Sequence, residues 1–138
     1  MSYKSFSGED FSAFREIQDS RPLNMLNLVK VFPTVEYPDG EIVSGIEAYK
    51  RYGRLSYPIF ERLGGKIIWR GEMLLSLIGP SDEKWDFCFI AEYPNTEAFV
   101  SMVKDPDYRK AVKHRQISVQ DSRLIRMAPL LNGKNFSE

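Results

Sequence analysis

The sequence predicts an α+β protein with a ferredoxin-like βαββαβ order and a four-stranded antiparallel sheet, and three observations carry that expectation. An apolar strand, Leu23 to Phe32, is closed by Pro33 and followed by a helix that Ser44-Gly45-Ile46-Glu47 opens and Gly64-Gly65 stops. Two more strand patterns come next, meeting at Gly79-Pro80-Ser81-Asp82. A second capped helical region then leads into a last strand carrying Asp121-Ser122-Arg123. In this order both helices cover one face of the sheet.

Residues 1–22 form an N-terminal extension in which Phe11, Phe14 and Ile17 recur at helical spacing, so one short amphipathic helix is expected before Pro22, packed outside the domain. The domain itself is placed at 23–130, with a polar tail at 131–138. Along the first strand, Leu26 and Leu28 share one face and Met25, Asn27 and Val29 the other. Tyr37-Pro38-Asp39-Gly40 is a turn signature, and Ser44 with Glu47 has the spacing of a reciprocal capping box. Ile46, Tyr49, Gly53, Tyr57, Phe60 and Leu63 make one helical stripe, which Pro58 should kink or interrupt. After the glycine stop, Lys66 to Ile78 reads as a long strand with Ile67, Trp69, Met73, Leu75 and Leu77 on an apolar face. It forms a hairpin with Trp85 to Tyr93. Thr96 onward buries Phe99, Met102 and Val103. Asp105 as N-cap and Pro106 at the first helical position restart the helix, with Tyr108, Ala111, Val112 and Arg115 along one side. Asp121 to Met127 is the last strand.

At 138 residues the chain fits one domain with a core of its own. Lysine plus arginine and aspartate plus glutamate both number 19, so net charge is zero and nothing favours nucleic acid or an anionic membrane as partner. The single cysteine, Cys88, excludes an internal disulfide and sits in an apolar run that suits a small buried hydrophobe. No secretory stretch opens the chain and no apolar run is long enough to span a bilayer, so a cytoplasmic location is expected.

A sheet with both helices on one face leaves the other bare, and a second copy packing sheet on sheet would cover it. A homodimer enclosing a small-molecule cavity between its sheets is therefore expected. Several motifs in order support this: Met25-Leu26-Asn27-Leu28-Val29-Lys30, Ser44-Gly45-Ile46-Glu47-Ala48-Tyr49 with Tyr52-Gly53, Leu63-Gly64-Gly65-Lys66, Ile78-Gly79-Pro80, Trp85-Asp86, Tyr93-Pro94, Asp105-Pro106-Asp107-Tyr108, His114-Arg115 and Asp121-Ser122-Arg123. Over roughly residues 24 to 130 they resemble the family labelled domain of unknown function 1330 (DUF1330). The resemblance implies a dimeric α+β barrel and no established reaction.

The candidate site residues follow from chemistry. His114 is the sole histidine and the only side chain poised for proton transfer near neutrality. It lies near the end of the second helical region, so Asp121 is expected close enough to orient it as an acid-base dyad. Arg123, sharing a face with Asp121, would hold an anionic or carbonyl-bearing ligand. Arg70 and Glu72, opposite the Trp69 face, should point away from the helices into the dimer cavity. Asn27 is polar within an apolar strand and needs hydrogen bonds, from a ligand or from the backbone. Tyr49 belongs to the core, whereas Tyr52 would offer its hydroxyl at the pocket mouth. No ligand spacing for a metal and no phosphate loop occur, so the chemistry expected is cofactor-free. Two alternatives stand beside it: a haem-handling monooxygenase-like barrel using Asn27, Trp69 or Trp85, and His114, and a non-catalytic dimeric module.

Overall fold

Each helix begins where a side chain satisfies amides that the helix itself leaves unpaired. Ser7 Oγ accepts from the Asp10 amide at 3.1 Å to open α1 (Gly8–Glu16), and Ser44 Oγ from the Glu47 amide at 3.0 Å to open α2 (Gly45–Arg62). Asn95 Oδ1 accepts from Ala98 at 2.9 Å for α3 (Thr96–Lys104), and Asp105 Oδ1 accepts from Asp107 and Tyr108 at 2.8 and 3.2 Å for α4 (Pro106–Ser118). The strands of this computed structural model, which describes residues 2–138, are β1 (Leu23–Val31), β2 (Thr34–Glu36), β3 (Ile42–Ser44), β4 (Lys66–Gly71), β5 (Phe87–Tyr93) and β6 (Val119–Met127).

The main sheet has the order β4-β5-β1-β6 with every neighbour antiparallel, the ferredoxin-like arrangement. Its helix-side face carries Leu23, Met25, Ala91 and Tyr93, which pack against Ile59 and Phe60 of α2, Phe99 and Met102 of α3 and Tyr108 of α4. A second cluster joins Val29, Val31 and Val119 to Tyr49. Leu26, Leu28, Cys88, Ile90, Ile125 and Met127 alternate with these residues and lie on the opposite face, where none is fully buried. The bare face expected from the strand order is present: its centre is apolar, and Lys30, Lys66, Glu92, Asp121 and Arg123 stand towards its ends.

The chain departs from its sequence pattern at six places. The loop expected around the Tyr37-Pro38-Asp39-Gly40 turn is in fact, over residues 34–44, the two-stranded β2–β3 hairpin closed by Gly40 at φ 92°. Ser44 caps α2, but Glu47 does not complete the box, because its carboxylate is drawn to Arg51 and Arg54 at 3.3 and 3.0 Å. Pro58 lies inside α2 without interrupting it, and the helix ends in a Schellman motif: Gly65 N donates to Phe60 O at 2.8 Å and Gly64 N to Glu61 O at 3.0 Å, Gly64 having φ 84°.

The long strand expected to Ile78 stops at Gly71. Asp86 closes β5 by donating its amide to Val29 O at 2.7 Å and accepting the Val31 amide at 2.9 Å, so 72–86 have no strand to pair with and form a loop. A bulge between Ile67 and Trp69 also splits the predicted apolar face: Ile67 pairs with Ala91 on the helix side and Trp69 with Ile90 on the open side. Finally, α4 runs to Ser118 and enters β6 directly, leaving no connecting loop after His114.

The N-terminal extension is tied to the domain. Tyr3 N donates to Asp121 Oδ1 at 2.8 Å and Ser122 Oγ to Tyr3 O at 2.7 Å, while Phe14 of α1 packs on Phe99 at 4.9 Å between ring centroids.

Candidate functional site

A concavity lies between α2 and the end of the sheet. The pairing of β4 with β5 ends at Gly71 opposite Cys88, so Phe87 has no strand beside it on that edge. Above this gap α2 presents Tyr49, Lys50, Gly53, Arg54 and Tyr57, and the space between is an open groove of about 590 Å³. That falls within the ~300–1,000 Å³ of small-molecule sites. The Tyr49 ring packs on Phe87 at 4.6 Å and on Tyr52 at 5.4 Å between centroids, which fixes the apolar floor.

Tyr49 is only 6% exposed, yet its hydroxyl makes no hydrogen bond to any described group. Among the described residues the only buried side-chain polar atom left unsatisfied is Asn24 Oδ1, so the Tyr49 hydroxyl oxygen itself reaches the open groove, where water can satisfy it. Burial pushes the Tyr49 phenol well above its ordinary value, so it stays neutral and can both donate and accept. Lys50 is exposed and has no ion pair among the described residues. Arg54 leans on Glu47 at 3.0 Å through one nitrogen, and Tyr57 donates to Glu61 Oε2 at 2.5 Å. At Gly53 an added Cβ would meet nothing within 4 Å. The glycine therefore has no packing reason, although in mid-helix it costs about 1 kcal/mol relative to alanine.

The residues singled out from sequence are distributed differently. His114 Nδ1 lies 2.6 Å from Tyr37 Oη, so the imidazole clasps the β2–β3 hairpin; burial, aided by the Arg51 cation, lowers its pKa from the ordinary value. Asp121 instead accepts from Tyr3 N at 2.8 Å, Ser122 N at 2.9 Å and Arg123 Nη1 at 2.8 Å. Burial raises its pKa, but these bonds outweigh it and hold the carboxyl below its ordinary value. No hydrogen bond joins His114 to Asp121. The expected dyad fails because α4 continues one turn beyond His114 and gives way to β6 without a loop.

Arg123 does share a face with Asp121, but its guanidinium lies between the rings of Tyr3 and Trp85, 4.8 and 5.3 Å from their centroids. Arg70 pairs with Phe89, which places it on the helix side of the edge strand rather than toward a partner sheet, and Glu72 lies beyond the strand. Both are exposed. Asn27 also faces the helix side and spends its amide on Met25 O at 3.0 Å. Tyr52 turns inward, its hydroxyl 2.8 Å from that of Tyr108, and does not line the groove. Of the seven candidates the structure brings together Asp121 and Arg123 alone.

Asn27, His114 and either tryptophan do not converge, so these residues do not fit a haem. Among the described residues no three His, Cys, Asp or Glu side chains are placed to hold a metal ion, and no helix is long and apolar enough to cross a membrane. Sequence reasoning missed the groove itself. Its available signal was Gly53, a glycine inside a strong amphipathic helix.

The architecture defines a ferredoxin-like α+β protein. The chain belongs to the family described as "Domain of unknown function (DUF1330)", whose model matches residues 42–127, in agreement with the motif resemblance. It is similar to a protein of unknown function from Rhodopseudomonas palustris, at 53% identity and a TM-score of 0.91 over 96% of this chain and 100% of that one. The methylated form of that protein gives 54% and 0.92 over 96% and 98%. A dimeric ferredoxin-like protein of unknown function from Thermobifida fusca shares the fold at 18% identity, with a TM-score of 0.51 over 83% of this chain and 96% of that one. A search of curated proteins gives no match.

Proposed function

We propose that this protein binds a small organic molecule in the groove between α2 and Phe87, and does so as a homodimer assembled through its open sheet face. The observation that carries the binding function is the Tyr49 hydroxyl, which belongs to a side chain 6% exposed, opens on the groove and has no protein partner among the described residues. A ligand takes the place of water at this hydroxyl, and the rings of Tyr49, Tyr57 and Phe87 supply apolar contact. Assembly is supported by the apolar open face, where Trp69 is 50%, Ile125 43% and Met127 46% exposed, and by the Thermobifida fusca protein of the same fold being dimeric. Binding is favoured over acid-base catalysis because His114 and Asp121 are engaged with other groups.

The test is an amide NMR titration of the whole protein with mixtures of small organic compounds. Binding shifts the amides of Tyr49, Lys50, Gly53 and Phe87, and Tyr49→Phe weakens it at unchanged fold stability. A broad screen in which no compound moves these amides overturns the proposal.

A further inference from the structure

The groove has a polarity as well as a shape. Its floor is aromatic, Tyr49 on Phe87 at 4.6 Å with Tyr57 beside them, and such rings favour a flat ring laid on or edged against them. Its rim carries two cations and no carboxylate: Lys50 and Arg54 line it, and the nearest acids on α2 are already occupied. Glu47 serves Arg51 and Arg54, and Glu61 takes the Tyr57 hydroxyl.

Lys50, with no ion pair among the described residues, is free to meet an anion. One helical position back, the Tyr49 hydroxyl opens on the groove, is unpartnered among the described residues and is able to donate. Gly53 lies one turn further, since residues three and four apart are neighbours on a helix face. With no side chain there and nothing within 4 Å of where a Cβ would stand, the space between the Tyr49 and Tyr57 rings stays open.

Resting on the proposed binding function, we infer that the ligand class is a small aromatic carboxylate: the ring lies over Gly53 between Tyr49, Tyr57 and Phe87, and the carboxylate takes the Tyr49 hydroxyl and the Lys50 ammonium. Three features converge on this one chemistry: an aromatic floor, an unpaired cation and a hydroxyl that opens on the groove with no protein partner among the described residues. A neutral aliphatic ligand would use none of the last two. A phosphate ester would use the cation but would not need the ring-lined space that Gly53 keeps clear.

The experiment compares 4-hydroxybenzoate, neutral benzyl alcohol and acetate as probes, titrated separately into the whole protein and followed by the groove amides. The inference expects 4-hydroxybenzoate to bind most tightly. Tyr49→Phe should weaken it roughly three- to tenfold, as loss of one hydrogen bond does. Lys50→Met should weaken it about two- to fivefold, as loss of one exposed charge pair does. Lys50→Met should leave binding of benzyl alcohol, which carries no charge, unchanged. Gly53→Leu should abolish binding of both aromatic probes while the thermal midpoint does not fall, which separates a filled groove from an unfolded protein. Equal binding of benzyl alcohol and 4-hydroxybenzoate, with no effect of Lys50→Met, overturns the carboxylate inference but leaves the groove as a binding site. If acetate shifts the same amides as strongly as the aromatic acid, the aromatic part falls. If none of the probes moves the groove amides, the inference is overturned, whereas the binding function itself falls only with the broad screen.

Discussion

Gly53→Ala tests the groove by a change in stability rather than in binding. Glycine in a helix interior is about 0.8–1 kcal/mol less favourable than alanine, because it loses more backbone freedom on folding. That gain is realised only if the new methyl group meets no obstacle, and here nothing lies within 4 Å of its position. The substitution should therefore stabilise the fold by about 1 kcal/mol, raising the thermal midpoint by about 3–5 °C for a domain of this size. Differential scanning calorimetry reads this directly, with both proteins at one concentration because the proposed self-association would make the midpoint concentration-dependent. A midpoint lowered by the substitution would refute the reasoning, since it would mean that the space over Gly53 is filled, by the partner subunit or by a closer packing of α2, and that the glycine is there for packing after all. A raised midpoint together with weakened ligand binding would show a residue kept at a cost to stability for the room it leaves.

The remaining predictions concern the fold around the groove. Ser44→Ala should cost about 1 kcal/mol, seen as a lower calorimetric midpoint, because Ser44 Oγ alone caps the Glu47 amide at the start of α2. Tyr108→Phe should cost roughly 1–3 kcal/mol in urea unfolding by leaving the Tyr52 hydroxyl without its partner at 2.8 Å, and adding Tyr52→Phe should recover part of that loss. The lone imidazole of His114 should titrate below its ordinary value by NMR, burial being the main cause and Arg51 the second, and Arg51→Ala should raise it only in part. Because the folded pKa is the lower one, the unfolded chain binds the proton first as pH falls. Stability is thus full above the ordinary histidine value of ~6.5 and declines from there down to the folded pKa.

Much of the fold was legible because local chemistry and tertiary packing agree along most of the chain. Ser44 and Asp105 cap where a cap was expected, and Gly64 takes the left-handed conformation that a helix stop requires. The sequence misled where periodicity alone was followed past the last available partner. Lys66 to Ile78 alternates like a strand, but pairing ends at Gly71 because Asp86 turns its hydrogen bonds onto β1, and no residue pattern within 66–78 records that. The bulge at Ile67 and Trp69 then reversed the facing of Arg70, removing it from the predicted cavity. His114 went astray for a related reason: its role is set by Tyr37, 77 residues away, through a hairpin whose strands are only three residues each. Candidate residues chosen for their chemistry turned out to be partnered, whereas the groove is built from residues that read as core, such as Tyr49, or as a defect, such as Gly53.

The two surfaces that matter lie on opposite sides of the sheet, so assembly and binding should be separable. Phe87 pairs with Val29 on the helix side, where the groove is, while Ile125 pairs with Leu26 on the open side. Ile125 is 43% exposed in the protomer, so Ile125→Asp removes little from the core. In a two-fold dimer of standard size, ~800 Å² per partner, the change places two carboxylates in an apolar interface, each costing several kcal/mol when left unpaired. That exceeds what a micromolar dimer of ~8 kcal/mol can absorb. Sedimentation equilibrium should therefore find the wild type at twice 16.0 kDa and Ile125→Asp at 16.0 kDa. The amides of Tyr49, Gly53 and Phe87 should keep their positions in the variant and respond to the same ligand. A wild type that sediments as a monomer, or a variant that stays dimeric, would remove the open face as the interface. A variant that dissociates and loses the groove amides would show instead that the partner subunit completes the site.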